Sequence, residues 1–127
     1  MNIIENKLYV GEIPASHIAK KFGTPIYVYD EDVLRYKYRE LADSISYPKL
    51  KILYAVKANA NQTILEILRQ EGAGISAASI GEIVLALNAG FKPNQIMLTS
   101  PALTNQEMKF AISKKVMVNV DSISQLE

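Results

Sequence analysis

The amino-acid sequence predicts an α/β fold with a parallel sheet. Four short segments rich in β-formers, near residues 52–57, 75–78, 96–99 and 116–120, alternate with segments of helical periodicity. Strands that alternate with helices in this way form βαβ units, in which the strands run parallel. Four such strands are half of an eight-stranded βα barrel, and an open doubly wound sheet is the competing architecture. No glycine-rich phosphate fingerprint follows the first strand, which disfavours a nucleotide-binding open sheet.

Composition and charge restrict the class of protein. The chain has 127 residues, of which 49% are hydrophobic and 21% charged, so it is globular rather than disordered. A formal net charge of +1 gives no reason to expect nucleic acid or a polybasic membrane contact. The absence of cysteine excludes disulfides and zinc–thiolate sites. No apolar run approaches the roughly 20 residues that cross a bilayer, and the first residues do not resemble a secretory signal, so we expect a cytoplasmic protein.

The elements become regular after residue 24. We interpret residues 1–24 as a segment that leads into the barrel and residues 25–127 as the first half of the barrel domain. Residues 26–29 are rich in β-formers, and Asp30 then has the position and side chain of a helix N-cap. The next helix is predicted from apolar residues spaced along one face, namely Leu34, Tyr38, Leu41 and Ile45.

Capping signals mark the later helices. Sequences of the capping-box form Ser/Thr-x-x-Glu/Gln occupy residues 79–82, 104–107 and 122–125, each in front of an apolar run or at its start. Gly72 and Gly90 have the position of C-terminal stops. The sequence therefore predicts that each strand is followed by a helix with its own start signal.

Lys57 is the candidate for chemistry. It ends the first predicted strand, and side-chain alternation would place it on one face with Leu53 and Ala55. Catalytic groups of barrels cluster at the C-terminal ends of the strands. Partial desolvation there would keep some of the amine neutral, which a Schiff-base nucleophile requires. The alternative, which spacing alone favours, is that Lys57 simply extends into water, as strand-ending lysines commonly do.

Three motifs carry a resemblance to a known family. Residues 54–59, Tyr-Ala-Val-Lys-Ala-Asn, resemble the cofactor-lysine motif of the fold-type III pyridoxal-phosphate enzymes. Residues 23–30, Gly-Thr-Pro-Ile-Tyr-Val-Tyr-Asp, are similar to the entry of that family's barrel. Residues 72–74, followed by Ser79 and by Gly-Glu at 81–82, look like its Gly-x-Gly, Ser and Gly-Glu signature. Their order and spacing resemble the diaminopimelate, ornithine and arginine decarboxylases in particular.

The resemblance implies the N-terminal half of an alanine-racemase-like (β/α)8 TIM barrel with pyridoxal 5'-phosphate as cofactor. Lys57 would hold the cofactor covalently, and Ala55 would contact it from the same barrel face. Ser76 would lie beside the cofactor in the second strand. Glu82 would lie close to the active site at the start of the next helix, although its capping box explains this residue equally well.

The implied activity is decarboxylation of a basic or diamino amino acid, most similar to diaminopimelate decarboxylase of lysine biosynthesis. Decarboxylases of ornithine, arginine or carboxynorspermidine are the alternatives, and a catalytically silent homologue that binds partners is an alternative of another class. The family builds its active site from two subunits, so we expect a homodimer with neither nucleic acid nor membrane as partner. The remaining barrel, the phosphate site, the cofactor-stacking histidine and a C-terminal β-domain would follow residue 127. We therefore expect His17 to be a surface residue and the isolated chain to be inactive.

Two positions depart from the family pattern. Ser76 occupies the place where the family usually has an aspartate near the cofactor. Residues 100–103 read Ser-Pro-Ala-Leu where many diaminopimelate decarboxylases carry a lysine. The loss of a negative charge would change how the cofactor ring is held or which substrate fits. We therefore expect weaker activity on diaminopimelate than is typical of the family, or a different amino-acid substrate.

Overall fold

A computed structural model describes residues 1–126 and divides the chain into two compact units, Met1–Glu40 and Leu41–Glu127. The first unit begins with an antiparallel sheet in the order β1-β2-β3, followed by a helix that packs against β2 and β3. Its elements are β1 (Asn2–Ile4), β2 (Lys7–Val10), β3 (Ile13–Pro14) and α1 (Ala15–Phe22). The boundary between residues 24 and 25 that the sequence suggested for the barrel domain stays a prediction.

The hairpin of β1 and β2 was not predicted from the sequence. Glu5 and Asn6 connect the two strands, and both have positive φ values, 48° and 61°. Two positive φ values are typical of the tight turns that match the twist of paired strands, but such turns usually carry a glycine. Because Glu-Asn lacks that signal, the sequence pattern gave no reason to predict a turn here.

His17 lies in α1 and is exposed, which confirms that it is a surface residue.

Helix α2 (Glu31–Asp43) begins where Asp30 predicts it. The Asp30 carboxylate oxygen Oδ1 accepts hydrogen bonds from the backbone N–H groups of Asp32 at 3.1 Å and Val33 at 3.3 Å, so the N-cap is confirmed. One prediction for this helix is wrong in detail, because the helix ends before Ile45 and its apolar face is shorter than predicted. Residues 26–29, although rich in β-formers, form no strand.

The second unit contains the predicted parallel sheet. Its elements in chain order are β4 (Leu53–Ala55), α3 (Gln62–Gln70), β5 (Gly74–Ala77), α4 (Ile80–Asn88), β6 (Ile96–Thr99), α5 (Asn105–Ser113) and β7 (Met117–Asn119). The strands lie in the order β4-β5-β6-β7, and every neighbouring pair is parallel. The α/β prediction is confirmed, and each strand lies within the residues predicted for it or extends them by one. None of the helices in residues 1–126 is both long and apolar enough to span a bilayer.

The helices cover one face of the sheet. Ile75, Ala77, Ile96 and Leu98 are buried there together with Leu65 of α3, Ile83 and Ala86 of α4 and Ala111 of α5. Each large aliphatic side chain that is buried in this way stabilises the fold by about 1.5–3 kcal/mol. The residues between them on the strands, such as Ser76 and Met97, are only half-buried and belong to the opposite, open face.

The three helices of the second unit end in the same way. After α4, the N–H of Gly90 donates to the oxygen of Leu87 at 3.0 Å, and the N–H of Phe91 donates to that of Ala86 at 3.1 Å. This pair of bonds is the Schellman motif, and it requires a residue with positive φ, which Gly90 provides at 84°. Gly72 provides it after α3, and Lys115 provides it after α5 at 58°. Lys115 therefore adopts a conformation that costs a residue with a Cβ about 1–2 kcal/mol.

The predicted capping boxes differ in outcome. In front of α5, Thr104 and Glu107 form both bonds of the box: the Glu107 N–H donates to Thr104 Oγ1 at 3.3 Å, and the Thr104 N–H donates to Glu107 Oε2 at 2.9 Å. The hydrogen bonds that Thr104 donates to the Glu107 carboxylate lower its pKa, the backbone N–H being the largest cause and the hydroxyl the next. The third predicted box is wrong. Ser122 accepts no capping bond, and only a 3-10 turn, Ile123–Gln125, follows it.

Candidate active site

The candidate site lies at the C-terminal ends of the parallel strands, on the open face of the sheet. Ala55 of β4 is in register with Ser76 of β5, Ser76 with Met97 of β6, and Met97 with Met117 of β7. Neighbours in register on one face have their side chains side by side. The structure therefore brings together two of the residues predicted for the site, Ala55 and Ser76, on adjacent strands.

Lys57 lies just beyond this row, and here the prediction from the sequence is wrong in one respect. The β4 strand stops at Ala55, and Val56–Ala58 form a short 3-10 turn. Val56 is fully buried in the core between sheet and helices, but its backbone already belongs to the turn, so the chain does not continue as a strand. Strand alternation therefore does not place Lys57 on the face of Leu53 and Ala55. The lysine is exposed, and the described residues do not provide the partial desolvation that we expected.

Hydrogen bonds fix the turn that carries Lys57. The Tyr54 hydroxyl donates to the backbone oxygen of Asn59 at 3.1 Å. The Asn59 side chain accepts from the N–H of Asn61 at 2.9 Å, and the Asn61 side chain accepts from the N–H of Thr63 at 3.0 Å, which caps α3. The residues of the motif on both sides of Lys57 thus hold the backbone in place. The long side chain remains free to react.

Gly74 explains part of the Gly-x-Gly signature. It is in register with Leu53, one row below Ala55 and Ser76. A Cβ atom on Gly74 would overlap Leu53 Cδ2 and lie 2.9 Å from the backbone oxygen of Gln95. The missing side chain therefore allows Leu53 to pack across the strand, which forms an apolar floor beneath Ala55 and Ser76.

Glu82 has a clear structural role. Its Oε2 accepts a hydrogen bond from the N–H of Ala78 at 2.7 Å, and its own N–H donates to the Ser79 hydroxyl at 3.3 Å. The predicted capping box is therefore modified, because the carboxylate binds the residue before the cap. These bonds fix the connection from β5 to α4 directly beyond Ser76.

Thr99 was not predicted from the sequence. It ends β6 on the same face as Met97, and its hydroxyl oxygen is buried without a hydrogen-bond partner among the described residues. Such unpaired buried groups are rare in folded proteins. Residue type and spacing gave no signal for Thr99, because the burial of one hydroxyl depends on tertiary packing.

Comparison with known proteins identifies the family. Residues 31–127 match the model of the pyridoxal-dependent decarboxylases, specifically their pyridoxal-binding domain. The chain belongs to this family. The family's domain binds pyridoxal phosphate, which confirms the resemblance predicted from the three motifs. The barrel fold class predicted for the chain is confirmed as well.

Individual relatives agree with this assignment. The chain is 44% identical to the diaminopimelate decarboxylase of Methanothermobacter thermautotrophicus over 94% of its own length and 28% of the relative's. It superposes on the crystal structure of diaminopimelate decarboxylase from M. jannaschii in complex with L-lysine with a TM-score of 0.88, at 29% identity, covering 98% of this chain and 30% of that one. The lysine/ornithine decarboxylase of Vibrio vulnificus, in complex with putrescine, gives a TM-score of 0.80 at 26% identity, covering 87% and 30%. The chain thus spans less than a third of the length of each of these proteins.

The residues present fit the family's cofactor in two respects. Lys57 supplies an exposed primary amine on a fixed turn at the end of a strand. Next to the turn, on β4 and β5, the open face carries the small side chains of Ala55 and Ser76 above the apolar floor of Leu53 and Gly74. Small side chains leave room for a flat ring, and an accessible amine can bind its aldehyde.

Proposed function

We propose that the full-length protein is a pyridoxal-phosphate-dependent amino-acid decarboxylase and that Lys57 is the residue that holds its cofactor. The observation that carries the proposal is the fixed, exposed Lys57 at the C-terminal end of a parallel strand, in a chain of the pyridoxal-binding family. Barrel enzymes place their catalytic groups at this end of the strands.

The residues of this chain have distinct tasks in the proposed reaction. Lys57 Nζ would hold the cofactor covalently through its aldehyde carbon, with loss of water. When it is not bound to the cofactor, this amine would be available to carry a proton. Ala55 and Ser76 line the open face beside the turn, and Glu82 holds the connection after Ser76 in place. When bound, the cofactor supplies an electron sink for the pair of electrons that the departing carbon dioxide leaves behind.

Substitution of Lys57 in the full-length protein tests the proposal. Lys57→Ala should abolish decarboxylation and the visible absorption band of lysine-bound pyridoxal phosphate. Lys57→Arg should do the same, because a guanidinium group is not interchangeable with an amine. Lys51→Ala is the matched control, since Lys51 lies just before the other end of the same strand and is also exposed. A band that persists in both Lys57 variants would refute the assignment, and so would its loss in the control.

The substrate that we propose is a diamino or basic amino acid, with diaminopimelate as the first candidate. The relatives of this name, at up to 44% identity, support that candidate. Ornithine and lysine are the alternatives, because the V. vulnificus decarboxylase of those amino acids has the same fold. We also propose that the protein is cytoplasmic and that it acts as a homodimer. Measurement of the molecular size of the full-length protein tests the dimer.

Ser76 should influence the choice of substrate. It lies beside Ala55 and Met97 on the open face, and a serine leaves this row without a negative charge. We expect Ser76→Asp to change the relative kcat/KM values for diaminopimelate, ornithine, arginine and lysine, whereas Ser79→Asp, at the exposed helix cap, should leave the ratios unchanged. Wild-type preference for diaminopimelate that Ser76→Asp does not alter would show that this position has no part in selectivity.

A further inference from the structure

The structure contains a polar group at the candidate site that has no partner. In residues 1–126, two buried side-chain polar atoms lack hydrogen bonds, Thr99 Oγ1 and Arg69 Nε. Arg69 belongs to the last turn of α3, which precedes the start of β5 and so lies at the opposite end of the sheet. Thr99 instead ends β6, at the edge of the sheet where the Lys57 turn follows β4. Of these two atoms, only Thr99 Oγ1 therefore lies at the edge of the sheet that carries the candidate site.

The register of the strands relates Thr99 to Lys57. Ala55 is level with Ser76, and Ser76 with Met97. Thr99 follows Met97 by two residues on the same face of β6, and the turn Val56–Ala58 that carries Lys57 directly follows Ala55, so both residues lie beyond this row at the C-terminal edge of the sheet. The strands β4 and β6 are separated only by β5, which corresponds to about 10 Å across the sheet. A small molecule held by the Lys57 amine at this edge of the sheet can span a distance of this size.

We propose that Thr99 is a ligand-binding residue of this site, whose hydroxyl donates a hydrogen bond to an oxygen of the cofactor held by Lys57 or of the amino acid bound with that cofactor. The inference rests on the proposed function and adds a residue to it. A buried hydroxyl without a partner is unfavourable, and an oxygen acceptor on the bound molecule removes that cost. Asn119, the neighbour of Thr99 in register on β7, donates from its side-chain amide to Asp121 at 2.8 Å, and none of the described residues bonds to the Thr99 hydroxyl.

The test compares Thr99→Val, which keeps the shape but removes the hydroxyl, with Thr99→Ser, which keeps the hydroxyl. Thr99→Ala serves as a second hydroxyl-free variant in case valine prevents folding. In the full-length protein, the affinity for pyridoxal phosphate alone and the KM for the amino acid are measured separately. We expect valine and alanine to weaken one of the two by about five- to tenfold, the loss typical of one hydrogen bond, and serine to retain it. A change in cofactor affinity identifies the cofactor as the partner, and a change in KM alone identifies the amino acid.

The stability of the cofactor-free protein separates binding from a structural role. Because the hydroxyl has no partner in the folded chain, Thr99→Val should leave the unfolding midpoint of the cofactor-free protein unchanged or raise it. Thr63→Val, an exposed threonine in the first turn of α3, is the control and should change neither binding quantity. The inference is overturned if valine binds both molecules like wild type, if serine is as impaired as valine, or if valine lowers the midpoint. Wild-type protein that binds no cofactor would refute the proposed function itself, and this inference with it.

Discussion

The two units of the chain are built from similar elements but differ in packing. Residues 1–40 form three strands, a helix and most of a second helix, yet no side chain among them is buried. In the unit that begins at Leu41, strands and helices enclose a core in which Ile75, Ile96 and Leu98 are fully buried. Hydrogen-bonded secondary structure alone does not make a stable unit, because ordering each residue costs about 1–2 kcal/mol that only burial offsets. The βα unit is therefore the part of this chain that holds a site rigidly.

The largest expected effect comes from truncation of core residues. In the full-length protein, Ile96→Ala should reduce the free energy of unfolding by about 2–5 kcal/mol, because it leaves a cavity between sheet and helices. Ile3→Ala, also in a strand but 75% exposed, should reduce it by less than about 0.5 kcal/mol. Denaturant titration measures both values. A comparable loss for Ile3→Ala would contradict the difference in packing between the two units, since it would show that other parts of the protein bury this surface.

A single methyl group added at a close contact in the packed unit should also lower the free energy of unfolding. Gly74→Ala places a Cβ against Leu53 and the backbone of Gln95, and we expect a cost of about 1–3 kcal/mol. Gly81→Ala is the control, because its Cβ would meet nothing closer than 3.8 Å in helix α4 and should stabilise that helix by about 0.5–1 kcal/mol. Thermal unfolding of both variants checks the signs. Equal effects of Gly74→Ala and Gly81→Ala on thermal unfolding would contradict the close approach of Leu53 in β4 to Gly74 in β5.

A smaller effect concerns the conformation of single residues. Lys115 and Glu5 both have positive φ values, one in the packed unit and one in the hairpin of the first unit. Lys115→Gly should raise the free energy of unfolding by about 0.5 kcal/mol, because the relief of strain exceeds the added flexibility of glycine. Glu5→Gly should change it less, since the hairpin opens without disturbing the core. Hydrogen exchange of the amides around both positions would show whether either prediction fails.

The smallest effect is a dependence on pH. The backbone N–H of Thr104 lowers the pKa of Glu107 below its ordinary value of 4.5, so this carboxylate stabilises α5 above that value, and the contribution is lost as the pH falls through the folded pKa. Glu107→Gln should remove that part of the pH dependence. Hydrogen bonds from Lys37 and Tyr36 lower the pKa of Glu40 in the first unit, but Glu40→Gln should not alter the unfolding of the core. Urea titrations between pH 3 and 7 compare the two variants, and identical curves would contradict this difference.

The sequence predicted the packed unit better than the first unit for a physical reason. Each βα step carries local signals, such as the Thr104 cap and the Gly90 stop, and these agree with the packing that results. The hairpin at Glu5 and Asn6 carries no glycine, so no local signal marked it. The failure at the end of β4 has another cause, because side-chain alternation does not encode where a strand ends, and a 3-10 turn begins directly after Ala55.

The residues of the candidate site also divide into those that local sequence signals reveal and those that only tertiary packing reveals. Lys57, Ala55 and Ser76 were found because they belong to a motif and a strand, and the structure places Ala55 and Ser76 side by side. The capping role of Glu82 was already evident in its spacing from Ser79. Thr99 could not be found in this way, since its unpaired hydroxyl becomes visible only once β6 and its neighbours have been assembled.

The central claim is that Lys57, among the many lysines of this chain, is the one that holds the cofactor. The most direct measurement is to load the full-length protein with pyridoxal phosphate, reduce the cofactor–lysine bond with borohydride, digest the protein and locate the label by mass spectrometry. We predict that the label lies on the peptide that contains Lys57, in proportion to bound cofactor. A label on another lysine, or one spread over exposed residues such as Lys51 and Lys92, would contradict the assignment.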